Sequence, residues 1–238
     1  MPTSRLNILV YSGQGVSAAA LRHTIHSLHH TLSSKFDIKQ VNAEDLDGPW
    51  EGTCAAFVMP GGRDKEYVTA LGDQKISRIS KYVHGGGKYL GICAGAYFAC
   101  SAIRFEQGRP EYEVVEKRSM NFFPGVAIGA VNAGFVYACE QKAVAAKVER
   151  CGMSNPGGVF YLNGGCRFDL VGASVRDWSV IGRYSDDGSA SIVRGNVGHG
   201  QVLLSGVHFE YSASLLDGDL PDNVRSALVE AEATRSSV

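Results

Sequence analysis

Lys88-Tyr89-Leu90-Gly91-Ile92-Cys93-Ala94-Gly95-Ala96-Tyr97 passes from an apolar strand pattern, Lys88 to Ile92, straight into a small-residue helix pattern that begins near Ala94. The cysteine stands at the junction, where a nucleophile on a sharp strand-to-helix turn would be exposed. Backbone in such a turn is strained, so the residues two before and two after it must be small, and Gly91 and Gly95 are. A helix N-terminus behind Cys93 adds unpaired N–H groups and positive partial charge, both of which favour thiolate over thiol. The competing reading is a small buried hydrophobe ahead of a glycine-rich turn.

Outward from this stretch, strand and helix patterns alternate through the first half, the signature of a parallel sheet covered on both faces. Leu6 to Tyr11 reads as the first strand, Ser17 caps a helix to about Leu32, and Phe36 to Val41 is the second strand. Ala55 to Met59 follows as the third, residues 74 to 84 as a helix, Tyr89 to Ile92 as the fourth strand, and Ala94 to Phe105 as a helix. After Gly108 short apolar runs alternate with Gly, Asn and Asp, which predicts hairpins. These cover Gly134 to Cys139, Ala143 to Val148, Val159 to Leu162, Val180 to Tyr184, Ser191 to Val197 and Gln201 to Ser205. A last helix is expected from about Pro221 to Thr234, with Pro221 suited to its first position. The expected fold class is α/β: a mostly parallel sheet between helices, extended by antiparallel strands, in one domain over residues 1–238.

Two further motifs fall at strand ends. Gln201 to Ser205 runs into Gly206-Val207-His208-Phe209-Glu210, and in extended backbone residues two apart face the same way. Glu210 would orient His208 while His208 exchanges a proton with Cys93, the division of labour among nucleophile, base and orienter. The strand ending at Met59 opens into Pro60-Gly61-Gly62-Arg63-Asp64, whose glycines can aim N–H groups into a cleft. Gly62 and Ala94 form the natural donor pair of an oxyanion hole, although a Pro-Gly turn is also an ordinary connection. Gly61, Arg63, Asp64 and Tyr97 are the candidate substrate-binding residues. Arg63 would either receive a substrate carboxylate or form a salt bridge to Asp64 or Glu66. All these loops follow strand C-termini, where open parallel sheets hold ligands.

The order Pro-Gly-Gly, Gly-x-Cys-x-Gly, His-x-Glu resembles the class I glutamine amidotransferase superfamily. More narrowly, Pro60-Gly61-Gly62-Arg63-Asp64, the run Gly91 to Ala99, and Phe122-Phe123-Pro124-Gly125 resemble the amidotransferase-like N-terminal domain of eukaryotic biotin-protein ligases. The resemblance covers roughly the whole chain. It implies a flavodoxin-like sheet and a Cys93, His208, Glu210 triad. Glutamine-hydrolysing members usually carry Gln where this chain has Tyr97, and the biotin ligase catalytic domain has no counterpart in the 28 residues after the triad.

Composition narrows the classes. With 238 residues, 45% of them hydrophobic, the chain can bury a sizeable core, and its net charge of −1 argues against a nucleic-acid surface. No apolar run approaches the roughly 18 residues that span a bilayer, and no basic segment with a long apolar stretch opens the chain. The reading is therefore cytoplasmic, with no membrane and no nucleic-acid partner. Six irregularly spaced cysteines read as free thiols, and no Cys-x-x-Cys pair supports zinc. His23, His26 and His30 share a helix face with His29 nearby; a partly exposed helix explains them better than a metal site, so neither metal nor other cofactor is expected. The leading function is cleavage or transfer of a small-molecule amide or acyl group through a Cys93 thioester. The alternatives are a non-catalytic module that binds a ligand or protein partner in the same pocket, and a thiol sensor of oxidants.

Overall fold

Alternation of side chains along the first strands decides the layering. In a computed structural model, which describes residues 6–152, 157–170 and 177–236, β1 (Asn7–Tyr11) and β3 (Cys54–Met59) turn Ile8, Val10 and Val58 to one face, where they meet Leu21, Ile25 and Leu28 of α1 (Ala18–Leu32). Leu9, Tyr11, Phe57 and Met59 point to the other face and join the larger core. That core also takes Tyr67, Leu71, Ile76 and Ile79 of α2 (Asp64–His84) and most of α3 (Ala94–Ala99). Period-2 strands between period-3.6 helices thus bury both faces of the sheet. Ser17 caps α1 by accepting the Ala20 N–H at 3.5 Å.

With β2 (Asp37–Val41), β4 (Lys88–Ile92) and β13 (Gly200–Ser205), these strands form the parallel block β2-β1-β3-β4-β13. This is the flavodoxin-like order, with the fifth place filled from near the end of the chain. Beyond β13 the sheet continues through β12 (Ala190–Val197), β10 (Arg167–Asp169), β7 (Phe123–Gly129), β5 (Cys100–Phe105) and β6 (Val114–Lys117). All its pairings past β13 are antiparallel except β5 with β7. A branch of β11 (Trp178–Tyr184), β8 (Val144–Arg150) and β9 (Gly158–Leu162) leaves at β12, and α4 (Asp222–Ser236) packs on β8 and β9.

Several sequence expectations need correction. The helix expected over Ala94 to Phe105 stops at Ala99, and Cys100–Phe105 is β5, paired in parallel with β7. Six small or aromatic residues satisfy a short helix, but the sheet offers the next apolar run backbone partners that a helix end cannot. The helix over 74 to 84 is the second part of α2: its first part begins at Asp64, and Gly72, at φ 57° and ψ 173°, breaks the two apart. Gly134 to Cys139 is not a strand. Its Phe135 and Tyr137 pack as an aromatic cluster with Phe105 instead. β6, β7 and β10 went unread because their apolar runs are interrupted by charge, proline and glycine. Pro221 precedes α4 by one residue, its carbonyl accepting the Arg225 N–H at 2.9 Å.

Candidate active site

Cys93 sits where β4 meets α3, with φ 51° and ψ −107°, a conformation that costs a side-chain-bearing residue energy. The turn is over-determined by its neighbours. The Cys93 N–H donates to the Ser205 carbonyl at 2.8 Å, the Cys93 carbonyl accepts from Ala96 and Tyr97, and the Gly95 N–H donates to the Pro60 carbonyl at 3.1 Å. A Cβ at position 95 would stand 2.0 Å from the Met59 carbonyl oxygen, so only glycine lets α3 start this close to β3.

The Pro60-to-Arg63 loop is fixed by a small ladder against the first strand-to-helix loop. Ser17 N–H donates to the Gly61 carbonyl at 3.0 Å and Arg63 N–H to the Gly15 carbonyl at 2.8 Å, around an antiparallel bridge of Val16 and Gly62. In such a pair the central residues turn their own N–H groups away from each other, so the Gly62 donor points out of the ladder. A buried tyrosine steadies each neighbouring loop: Tyr67 hydroxyl donates to the Pro60 carbonyl (3.1 Å), Tyr89 to Gly95 (2.8 Å) and Tyr97 to Gly164 (3.1 Å). Burial raises all three phenols well above their ordinary range, so they remain protonated donors.

β13 ends at Ser205, beside Ile92 in the adjacent strand, and so delivers His208 next to the turn at Cys93. The His208 N–H donates to the Tyr161 carbonyl at 2.9 Å, and its Nδ1–H donates to Glu210 Oε1 at 2.7 Å. Both side chains are buried. Cys93 and His208 line the same cleft. Burial alone would lower the pKa of His208, but the Glu210 carboxylate, with Cys93 adding to its effect, raises it to about 10. The ring therefore holds a proton at neutral pH. Gly61 leaves it room, since a Cβ there would lie 2.6 Å from His208 Cε1.

One cleft of about 430 Å³ gathers Gly61, Gly62, Arg63, Asp64, Cys93, Ala94, Tyr97 and His208, with Glu210 directly behind the imidazole. The antiparallel half walls it with Phe135, Tyr137, Asn163 and Gly164 from loops and Tyr161 from β9. Arg63 does not pair with Asp64: its guanidinium lies 4.8 Å from the Tyr137 ring centroid and 3.4 Å from Glu66. Asp64 belongs to Arg118, whose Nε and Nη2 approach the same oxygen at 2.8 and 2.7 Å. Burial raises the Asp64 pKa against the pull of that guanidinium. Sequence reasoning missed Tyr161 and Tyr211, which line the cleft, and Arg118, which meets it only through Asp64; nothing in a lone arginine after Lys117, or in scattered tyrosines, signals these contacts.

All six cysteines are unpaired. Among the described residues no group of three or more His, Cys, Asp or Glu is placed to hold a metal ion, and no helix is long and apolar enough to cross a membrane. His23 departs from the partly exposed cluster expected of it, being fully buried beneath Tyr211.

With this geometry in view, comparison with known proteins places the chain. The profile of the family described as biotin-protein ligase, N terminal, matches residues 6–237. The biotin–protein ligase of Schizosaccharomyces pombe is 36% identical over 214 residues, covering 87% of this chain and 34% of the ligase. The chain thus spans about a third of that relative's length. An uncharacterized protein of Chlamydia muridarum is 39% identical over 214 residues, covering 86% of this chain and 80% of the relative. A glutamine amidotransferase from Thermotoga maritima superposes with a TM-score of 0.55 over 90% of this chain and 80% of its own, at 12% identity, a likeness of fold.

Proposed function

The chain belongs to the biotin-protein ligase N-terminal family, and from that premise we propose that it is a cysteine-nucleophile enzyme acting on an amide or related acyl group. Cys93 is the nucleophile, His208 the proton carrier, Glu210 its orienter, and the Gly62 and Ala94 N–H groups the oxyanion hole. The observation that supports this best is the buried hydrogen bond from His208 to Glu210, with the imidazole and Cys93 lining one cleft.

The steps follow from the charge state. With the proton resting on His208, the sulfur attacks as thiolate, the C–S bond forms, and the carbonyl oxygen takes the negative charge against the two backbone donors. Collapse breaks the C–N bond as His208 hands its proton to the departing amine. Water then attacks the thioester and gives its proton to His208, which releases the acid and restores the starting pair. Each oxyanion donor supplies about 10²–10³ in rate. Tyr97, held by the Gly164 carbonyl, occupies the place of the usual glutamine in glutamine-hydrolysing relatives, and Arg63 and Asp64 line the same cleft. These three select the substrate in our reading. The cleft equally fits a non-catalytic role in binding a small ligand or a protein.

The test is turnover of an amide panel, including glutamine, simple primary amides and a biotinyl amide of the kind suggested by the fission yeast relative's name. Cys93-dependent hydrolysis of any member upholds the enzyme. Ligands that raise the melting temperature without turnover would replace it with the binding module.

A further inference from the structure

His23 takes no part in the chemistry above, yet it lies fully buried behind the proton carrier. We propose that His23 is a positioning residue that holds the His208–Glu210 segment in place through Tyr211 and Ser212, an inference that rests on the role given to that pair above. Its Nδ1 accepts the Ser212 N–H at 3.0 Å, two residues past Glu210. Its ring stacks on Tyr211 with centroids 3.7 Å apart and planes 4° from parallel. Tyr211 in turn stacks on Tyr161 at 4.3 Å and 17°, and its centroid is 4.7 Å from that of His208. Tyr161 completes the frame, giving its carbonyl to the His208 N–H and its ring edge to the imidazole at 5.5 Å. Tyr211 and Tyr161 thus pack against the imidazole, and the Ser212 N–H bond to His23 Nδ1 sets where Tyr211 sits.

Only a neutral His23 can do this. With Nδ1 accepting, the ring proton is on Nε2, and an imidazolium would have no acceptor to offer Ser212. Burial, and then the neighbouring charge of Arg22, hold its pKa down to about 4. The loop has other anchors that survive a change at His23: Ser212 Oγ donates to Glu232 Oε1 at 3.1 Å, the Ala213 N–H to Glu232 Oε2 at 2.6 Å, and Arg22 pairs with Asp217 at 2.7 Å. Variants at position 23 therefore keep the segment attached while freeing its position.

The experiment compares His23→Leu, which loses both contacts, with His23→Asn, which keeps an acceptor for Ser212. Two readouts need no substrate: the rate at which iodoacetamide alkylates Cys93, and the low-field proton resonance of His208 Nδ1–H, assigned by its loss in Glu210→Gln. Positioning predicts that His23→Leu slows alkylation about tenfold and shifts or broadens the resonance, while His23→Asn stays within about twofold of the parent. Parent-like alkylation and resonance in His23→Leu overturn the proposal, as does an equal loss in both variants that simply follows their melting temperatures. If His23→Leu does not fold, His23→Phe, which keeps the stacking and loses the acceptor, replaces it under the same criteria. Failure to turn over any amide sinks the enzyme reading but leaves both readouts standing.

Discussion

The first 105 residues and the antiparallel segment between Val114 and Val197 hold the cleft in different ways. The first region stores its geometry in the backbone: Cys93 is forced to φ 51°, α3 touches β3 through Gly95, and the Gly61–Arg63 loop is stitched to Gly15–Ser17 by main-chain bonds. The second region contributes walls through side chains: Phe135, Tyr137, Tyr161 and Asn163 facing the cleft, and Arg118 gripping Asp64. His208 stands between the two, three residues past a strand that closes the parallel block but is reached only after the antiparallel excursion. The difference teaches that the conformation of Cys93 is built into the chain locally, whereas the placement of His208 depends on long-range packing.

Changes that probe this contrast rank by expected size. Cys93→Ala should lower turnover about 10⁴-fold or more, because nucleophile and base act as a unit, and it should leave the melting temperature nearly unchanged. An equal loss of stability would mean that the thiol is structural. Arg118→Met leaves the partly buried Asp64 carboxylate without its partner and should cost about 3 kcal/mol in chemical denaturation. A cost under about 1 kcal/mol would deny the second region its grip on the first. Gly95→Ala drives a methyl group against the Met59 carbonyl and should cost about 3 kcal/mol, seen as a melting temperature lower by roughly 10 °C. By contrast Arg22→Ala, at a pair whose side chains are 43% and 48% exposed, should change stability by less than about 1 kcal/mol.

The two buried histidines give the pH dependence opposite signs. His208, raised in the folded chain to about 10, stabilises fully below its unfolded value near 6.5, and that contribution disappears as pH rises through about 10. His23, lowered to about 4, leaves the unfolded state with more bound protons between about 4 and 6.5, so stability falls as pH drops through that window. Glu210→Gln removes the main group that raises His208. Titration of the imidazole by NMR should then move to lower pH, and the alkaline loss of stability should flatten. An unmoved midpoint would separate Glu210 from His208.

Legibility in the sequence followed the same divide. Where each strand is fully apolar and leads into a helix, as at Ile8 to Tyr11 or Leu90 to Ile92, periodicity placed the elements, and the glycine spacing around Cys93 marked the turn. The His208-x-Glu210 pair was legible because it follows an apolar strand. The antiparallel half was read less well because its strands are short and half exposed: Val114–Lys117 has one partly buried residue among four. Phe105 ends a strand rather than a helix because β7, distant in sequence, offers it backbone partners. Arg118, Tyr161 and Tyr211 carry no local signal at all, since their meaning lies in contacts across tens of residues.

The central claim is that Cys93, facing the same cleft as His208, takes up an acyl group. Intact-mass measurement after mixing with an activated acyl amide tests it most directly. The account predicts a single acyl adduct on the parent protein, absent from Cys93→Ala and formed far more slowly by His208→Ala. An adduct that persists in Cys93→Ala, or a parent that stays unmodified while its Cys93 still reacts with iodoacetamide, would contradict it.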